Sequence, residues 1–186
     1  MANRSYLYST DNLPESEEWT KKRILRSLSE TNYDIPLVFK LLLSGNPIAV
    51  KSTIWEYDGK IAIAGEYESG LKNLEDYLSR LPAEAEQLVT EAMTFLSDKA
   101  NRRKYFILEC GEIFNMTEGD LEEKNLALLE EIKELKNNIH AIDVPTLLES
   151  KDVSDQNAPQ TDFAKQLHRI GLGYWANILY YQFDDI

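Results

Sequence analysis

The residues that most often carry chemistry are few in this chain and lie far apart in the sequence. Cys110 is the single cysteine, and the only histidines are His140 and His168. A cysteine paired with a histidine can act as a nucleophile in hydrolases. However, Cys110 ends the apolar run 104–110, a position typical of a buried thiol with a raised pKa and little reactivity. A small hydrolase that uses Cys110, helped by His140 or His168, is therefore our alternative hypothesis.

Carboxylates are abundant, and this abundance limits what any one pair indicates. The chain has 32 acidic residues, so a pair that meets across a cleft, as in glycosidases, belongs to the same hydrolase alternative. Glu109, Glu112 and Glu118 flank the end of an apolar run, where functional loops often lie. Solvated turn residues are the simpler interpretation of all three, and we assign no catalytic residue.

Motifs for metals and for phosphate-bearing cofactors are missing from the sequence. It contains no HExxH or CxxC spacing, and the acidic segment 152–157 lacks the glycine and the final glutamate of a calcium loop. The GxG at 171–173 precedes an apolar run, whereas a dinucleotide site needs such a turn between a strand and a helix. The sequence therefore predicts neither a metal site nor a cofactor.

Negative charge is concentrated in the last 76 residues. The whole chain has a formal charge of −12, and residues 111–186 hold fifteen acidic and six basic residues, a balance of −9. Nucleic-acid binding requires a concentrated basic surface, so we expect no nucleic-acid partner. Such a charge favours a basic protein partner, or serves solubility alone.

Cysteine content and hydropathy predict the compartment. A single cysteine cannot form an internal disulfide, which favours a reducing environment. The first residues lack the apolar core of a secretory signal, and no stretch approaches the roughly 20 apolar residues that span a bilayer. We expect a cytoplasmic protein with no membrane association.

Five segments have the composition of β-strands. Residues 4–9 alternate tyrosines with other side chains, and 104–110 is a short apolar run. Residues 52–57 and 60–67 flank Asp58-Gly59, and a DG pair between such runs predicts a β-hairpin. Residues 173–183 are aromatic on both alternating faces, which predicts a final core strand.

Helical patterns lie between these strands. Apolar residues at helical spacing follow Pro36 as far as Gly45, recur in 71–81, follow Pro82 as far as Leu96, and recur in 121–139, with a weaker pattern in 19–28. Residues 149–162 are polar and predict a long loop. Together these elements predict one α+β domain over residues 1–186. Its mixed or antiparallel sheet includes the DG hairpin and the C-terminal aromatic strand, and three to five helices pack on it.

Several segments are similar to a known family. The opening MANRSYLYS, Tyr33–Pro36 leading to Leu43–Pro47, Gly111–Phe114 with the acidic helix after it, and Gly171–Trp175 with Leu179–Tyr181 carry the likeness. By these segments the chain resembles a family of uncharacterised bacterial proteins that open in nearly the same way, which transfers no catalytic residue. By analogy of size and acidity, the resemblance implies an immunity or accessory protein of a bacterial competition system.

Our main hypothesis is a non-enzymatic binding protein with a basic protein partner. Inhibitors of enzymes with basic clefts present carboxylates to them, and complementary charge speeds association. Aromatic residues commonly supply the anchors of such interfaces. The candidate contact residues are Glu112, Glu118, Asp120, Glu122, Glu123, Trp175 and Tyr181.

Overall fold

A five-stranded antiparallel sheet forms the centre of the molecule. The computed structural model describes residues 2–138, His140 and 159–183. The strands are β1 (Arg4–Thr10), β2 (Leu25–Asn32), β3 (Ile48–Val50), β4 (Ala62–Glu66) and β5 (Tyr105–Glu109). Their order is β2-β1-β5-β4-β3, and every neighbouring pair is antiparallel. The predicted α+β class and the strands at 4–9 and 104–110 are confirmed.

Seven α-helices lie within the described residues, four of them eleven residues or longer. They are α1 (Glu17–Lys21), α2 (Leu37–Leu43), α3 (Tyr67–Leu78), α4 (Glu86–Ser97), α5 (Gly111–Phe114), α6 (Leu121–Asn137) and α7 (Pro159–Arg169). The patterns after Pro36, over 71–81, after Pro82 and over 121–139 correspond to α2, α3, α4 and α6, and the total of seven exceeds the expected three to five. The helix predicted over 19–28 is wrong beyond Lys21, because the apolar residues Leu25 and Leu28 belong to β2. Among the described residues, no helix combines the length and hydropathy that crossing a membrane requires.

The helices cover one face of the sheet. Leu7, Ile63, Phe106 and Leu108 point into this larger core, where they are fully or almost fully buried. α2 and α3 lie so close that a β-carbon on Gly70 would come within 1.9 Å of the Leu42 carbonyl oxygen. Glycine is therefore required at that helix contact.

The opposite face of the sheet is covered mainly by chain without regular secondary structure, although Trp19 of α1 also packs there. Tyr6, Tyr8 and Ile107 are buried there, under the C-terminal segment 174–183 and part of the β3–β4 connection. The strand predicted at 173–183 is wrong, since this segment makes one isolated bridge, Ser29 to Trp175. Its rings alternate because one side packs on the sheet and the other faces solvent.

The predicted DG turn is also wrong, although a hairpin exists nearby. β3 and β4 pair with Ile48 opposite Ala64, so an eleven-residue loop, 51–61, joins them and contains Asp58-Gly59. Residues 52–57 form no strand because Ser52 and Thr53 hydrogen-bond to the Glu109 side chain instead.

The predicted polar loop over 149–162 is tested only at its end. Residues 149–158 lie outside the described residues, whereas 159–162 form the first turn of α7. The sequence reading missed this helix because its beginning is polar.

Candidate functional site

Four of the predicted contact residues lie together where α6 begins. We call Glu118, Asp120, Glu122 and Glu123 the acidic patch. Asp120 is the N-cap of α6, and its Oδ1 accepts the Glu123 amide at 2.9 Å. This hydrogen bond is the largest cause that lowers the pKa of Asp120 below its usual value. Glu118 and Glu123 are exposed.

The 51–61 loop donates hydrogen bonds to two carboxylates of the acidic patch. Tyr57 donates its hydroxyl to Asp120 Oδ2 at 2.8 Å, and the Lys60 amide donates to Glu122 Oε1 at 3.0 Å. Asn125, one turn further along α6, donates to the carbonyl oxygens of Lys60 and Ala62 at 2.9 and 3.0 Å. The start of α6 therefore holds the far end of the loop.

The nearest basic side chain does not neutralise the patch. Lys124 directs its Nζ to the carbonyl oxygens of Phe114 and Thr117, at 2.7 and 2.6 Å. In the part of the chain that the structure describes, none of the four patch carboxylates forms a salt bridge. Two of them accept only neutral donors, and the exposed Glu118 and Glu123 face solvent.

Glu112, the fifth predicted acidic contact, has an internal role. It lies in α5, where its two oxygens accept the Arg4 amide and the Tyr6 hydroxyl, both at 2.8 Å. Burial is the largest cause that raises the pKa of Tyr6, and the hydrogen bond to Glu112 adds to it. Glu112 therefore joins α5 to β1 and is only partly accessible.

The predicted aromatic anchors are half-buried within the molecule. Trp175 stacks at a tilt on Phe95, with ring centroids 5.9 Å apart, and Tyr181 contacts the edges of Tyr6 and Phe183. More exposed apolar side chains lie beside them: Tyr174, Ile178 and Tyr180 expose 70%, 77% and 59% of their surface. The alternation of side chains in 173–183 places these three residues on one side of the segment, but it does not indicate which side faces solvent.

Glu109, at the end of β5, is the most unusual titratable residue of the sheet. Its side chain is 1% exposed and accepts Ser52 Oγ at 2.7 Å, the Thr53 amide at 2.6 Å and Thr53 Oγ1 at 2.7 Å. Burial raises the pKa of Glu109 to about 7, although the three hydrogen bonds oppose the rise. Glu109 lies two residues after Ile107, so in a strand both side chains face the same side of the sheet. This spacing was the sequence signal for a buried glutamate, whereas we interpreted Glu109 as a turn residue.

The cysteine and the two histidines of the hydrolase alternative lie in different surroundings. Cys110 is fully buried in the core, and burial raises the pKa of its thiol well above the usual value, which opposes nucleophilic chemistry. His140 is exposed, whereas His168 lies beside Tyr174, with ring centroids 4.8 Å apart.

The larger clefts of the described chain also lie away from this cysteine. One, of about 570 Å³, lies between the end of β2 and the C-terminal segment, and another, of about 780 Å³, lies between α4 and α7. His168 lines both, and each has one acidic residue, Glu30 in the first and Glu84 in the second. Within the described ranges, no group of three or more histidine, cysteine or acidic side chains is arranged to hold a metal ion.

Comparison with known proteins places the chain in a family. Residues 11–151 match the model of the family described as a domain of unknown function (DUF7822), and this match covers most of the chain. The chain therefore belongs to that family, which confirms the resemblance to an uncharacterised family. No curated protein and no solved structure matches the chain significantly.

Proposed function

We propose that this protein is a non-enzymatic acidic binding protein that engages a basic protein partner through the acidic patch. The observation that carries the proposal is the group of four carboxylates at the start of α6, none of which forms a salt bridge among the described residues. Carboxylates without internal cations retain their charge for an incoming basic group. Such a role needs no catalytic constellation.

The local electrostatics favour a cationic ligand over an anionic one. Glu118 and Glu123 are exposed, and the neighbouring Lys124 directs its ammonium group to two backbone carbonyls instead of to the patch carboxylates. The net charge of −12 extends the negative potential beyond the patch, which accelerates encounter with a basic protein.

Apolar side chains beside the patch supply the second component of an interface. Met116 and Leu126 are 47% and 46% exposed, and they flank the patch in sequence on either side of the α6 N-terminus. Protein interfaces typically combine a few apolar anchors with a charged or polar rim. We therefore expect the partner to combine lysine or arginine side chains with an apolar contact.

The specific form of the proposal is an immunity or accessory protein of a bacterial competition system. In that role the protein would bind a basic toxin and block it, and its acidity would speed the association. This form predicts that the captured partner is toxic when produced alone and harmless when co-produced with this chain.

The test is a capture experiment with matched charge reversals. Affinity-tagged protein is exposed to lysate of the source organism, and bound proteins are eluted with a salt gradient and identified. A stoichiometric basic partner should be retained by the unaltered chain and lost with the double variant E118K/E123K. The control, E75K/D76K, reverses the same number of exposed charges on α3. Equal retention by both variants, or no salt-sensitive partner, would refute the proposal.

A further inference from the structure

A buried carboxyl group holds one end of the loop whose other end touches the acidic patch. Glu109 lies at the end of β5, opposite Tyr6 on β1 and Ala62 on β4. All three of its hydrogen-bond donors come from Ser52 and Thr53, at the start of the 51–61 loop. The carboxyl is therefore covered by the loop and is held by neutral groups only.

The titratable groups around Glu109 come from β1, β2, α5 and the C-terminal segment. On β1, burial is the largest cause that raises the pKa of Tyr6 and Tyr8, so both stay protonated. The carboxylate of Glu112 on α5 faces Tyr6, and Tyr181 of the C-terminal segment accepts the Tyr8 hydroxyl through its carbonyl oxygen. Cys110 interacts electrostatically with Glu109 and with Lys40 of α2, and Glu30 on β2 and Arg4 on β1 act on the neighbouring tyrosines.

We propose that Glu109 is a proton-controlled latch: the 51–61 loop stays closed over the protonated carboxyl and opens when Glu109 loses its proton to solvent. Protonation changes one of the three hydrogen bonds, that of the Thr53 hydroxyl, whereas Ser52 Oγ and the Thr53 amide continue to donate to the carboxyl group. A carboxylic acid has one donor, and the Thr53 hydroxyl can rotate to accept it while the Thr53 amide continues to donate. A carboxylate in the same position has no cation among its direct hydrogen-bond partners, and exposure to water relieves its desolvation.

The coupling between proton binding by Glu109 and opening of the 51–61 loop sets the direction and the upper limit of the pH effect. The closed state binds the proton more tightly than an open, hydrated state, because burial raises the pKa of Glu109 from 4.5 to about 7. Raising the pH therefore favours opening. If opening restores the ordinary pKa in full, the opening equilibrium increases by up to about 300-fold between acidic pH and pH well above 7.

Opening would change the acidic patch, and this step rests on the proposed function. The hydrogen bonds from Tyr57 to Asp120 and from the Lys60 amide to Glu122 belong to the same loop. If the loop moves away, both carboxylates become free to bind basic groups of a partner. The latch thus predicts tighter binding of a basic partner at pH 8 than at pH 6.

Trp55 provides a reporter that needs no partner. It lies between the two anchored ends of the loop, and its indole Nε1 is 2.9 Å from the position that a β-carbon on Gly111 would occupy. Fluorine NMR of the full chain labelled with 5-fluorotryptophan should resolve Trp19, Trp55 and Trp175, each assigned by a Trp→Phe variant. We expect the Trp55 signal to titrate with a midpoint near pH 7, and the Trp19 and Trp175 signals to change less.

The variants E109Q and E112Q distinguish the latch from general effects of pH. E109Q should abolish the Trp55 titration, whereas E112Q should retain it. Direct carboxyl-carbon NMR of Glu109 in the unaltered protein gives a second readout that does not depend on a variant folding. An unchanged Trp55 signal from pH 5.5 to 8.5, or the same titration in folded E109Q, would overturn the latch. If the latch fails this test, the result of the capture experiment at a single pH is unaffected. If instead the capture experiment finds no partner, the Trp55 titration still tests the latch.

Discussion

Replacing Glu109 with glutamine should flatten the dependence of folding stability on pH. The carboxyl of Glu109 has a raised pKa in the folded protein, so the folded state holds a proton that the unfolded state has already released. The contribution of this group to stability is therefore fully present below the unfolded pKa of about 4.5 and falls as the pH rises through 7. Glutamine cannot titrate and removes this loss.

The magnitude follows from the two pKa values. A pKa that rises from 4.5 to about 7 on folding corresponds to about 3 kcal/mol of stability lost between acidic pH and pH 8. The glutamine amide adds a cost of its own, because its NH₂ group must face a donor such as Ser52 Oγ or the Thr53 amide. That cost, about 1 kcal/mol, is independent of pH and does not change the slope.

Urea unfolding at half-unit intervals from pH 5 to pH 8.5 measures the effect. The unaltered protein also loses stability at high pH through repulsion among its acidic groups, so a charge-matched control is needed. E75Q removes one negative charge from the exposed face of α3 and should retain the full slope. If E109Q and E75Q have parallel pH profiles, the buried carboxyl does not titrate near neutrality and the reasoning is wrong.

Three further experiments test other parts of the fold. D120A removes the N-cap of α6 and the acceptor of the Tyr57 hydroxyl, so the urea midpoint of unfolding should fall, whereas D120N should recover part of the loss in the same titration. G70A inserts a methyl group against the Leu42 carbonyl oxygen and should cost about 1–3 kcal/mol, while S69A, on an adjacent and less crowded position, should cost less than 1 kcal/mol. A thiol reagent should modify Cys110 only after denaturation, and rapid labelling of the native protein would contradict its burial.

Sequence patterns correctly predicted those strands and helices whose buried faces follow the spacing of their own apolar residues. The alternation in β1 and the apolar run of β5 were confirmed because these strands lie at the centre of the sheet and are buried on both faces. α6 was predicted because its apolar residues recur on one side, and its boundary agrees because Asp120 caps it.

The failures share a physical cause, which is a long-range contact that overrides a local preference. Asp58-Gly59 is a strong turn signal. However, Ser52 and Thr53, which precede it, hydrogen-bond to the side chain of Glu109, which lies 57 and 56 positions away in the sequence. The segment 173–183 has the composition of a strand, but it crosses a sheet face and exposes Tyr174, Ile178 and Tyr180. The contact with Glu109 leaves no periodic signal in 52–57, and the alternation in 173–183 reflects packing on a sheet face without strand pairing.

The 51–61 loop links the two carboxylate systems of the molecule, so a partner site should be sought around it before the C-terminal segment is considered. One end of the loop lies on the buried Glu109 and the other on Asp120 and Glu122. All of these residues lie within the matched family region 11–151, whereas the exposed Tyr174 and Ile178 lie outside it. The apolar C-terminal surface is more conspicuous, but Glu30, the acidic residue that lines its cleft, already contacts Arg4 and the Tyr180 amide. The loop, by contrast, has a titratable group at one end and unpaired carboxylates at the other, which is the arrangement that a regulated electrostatic contact requires.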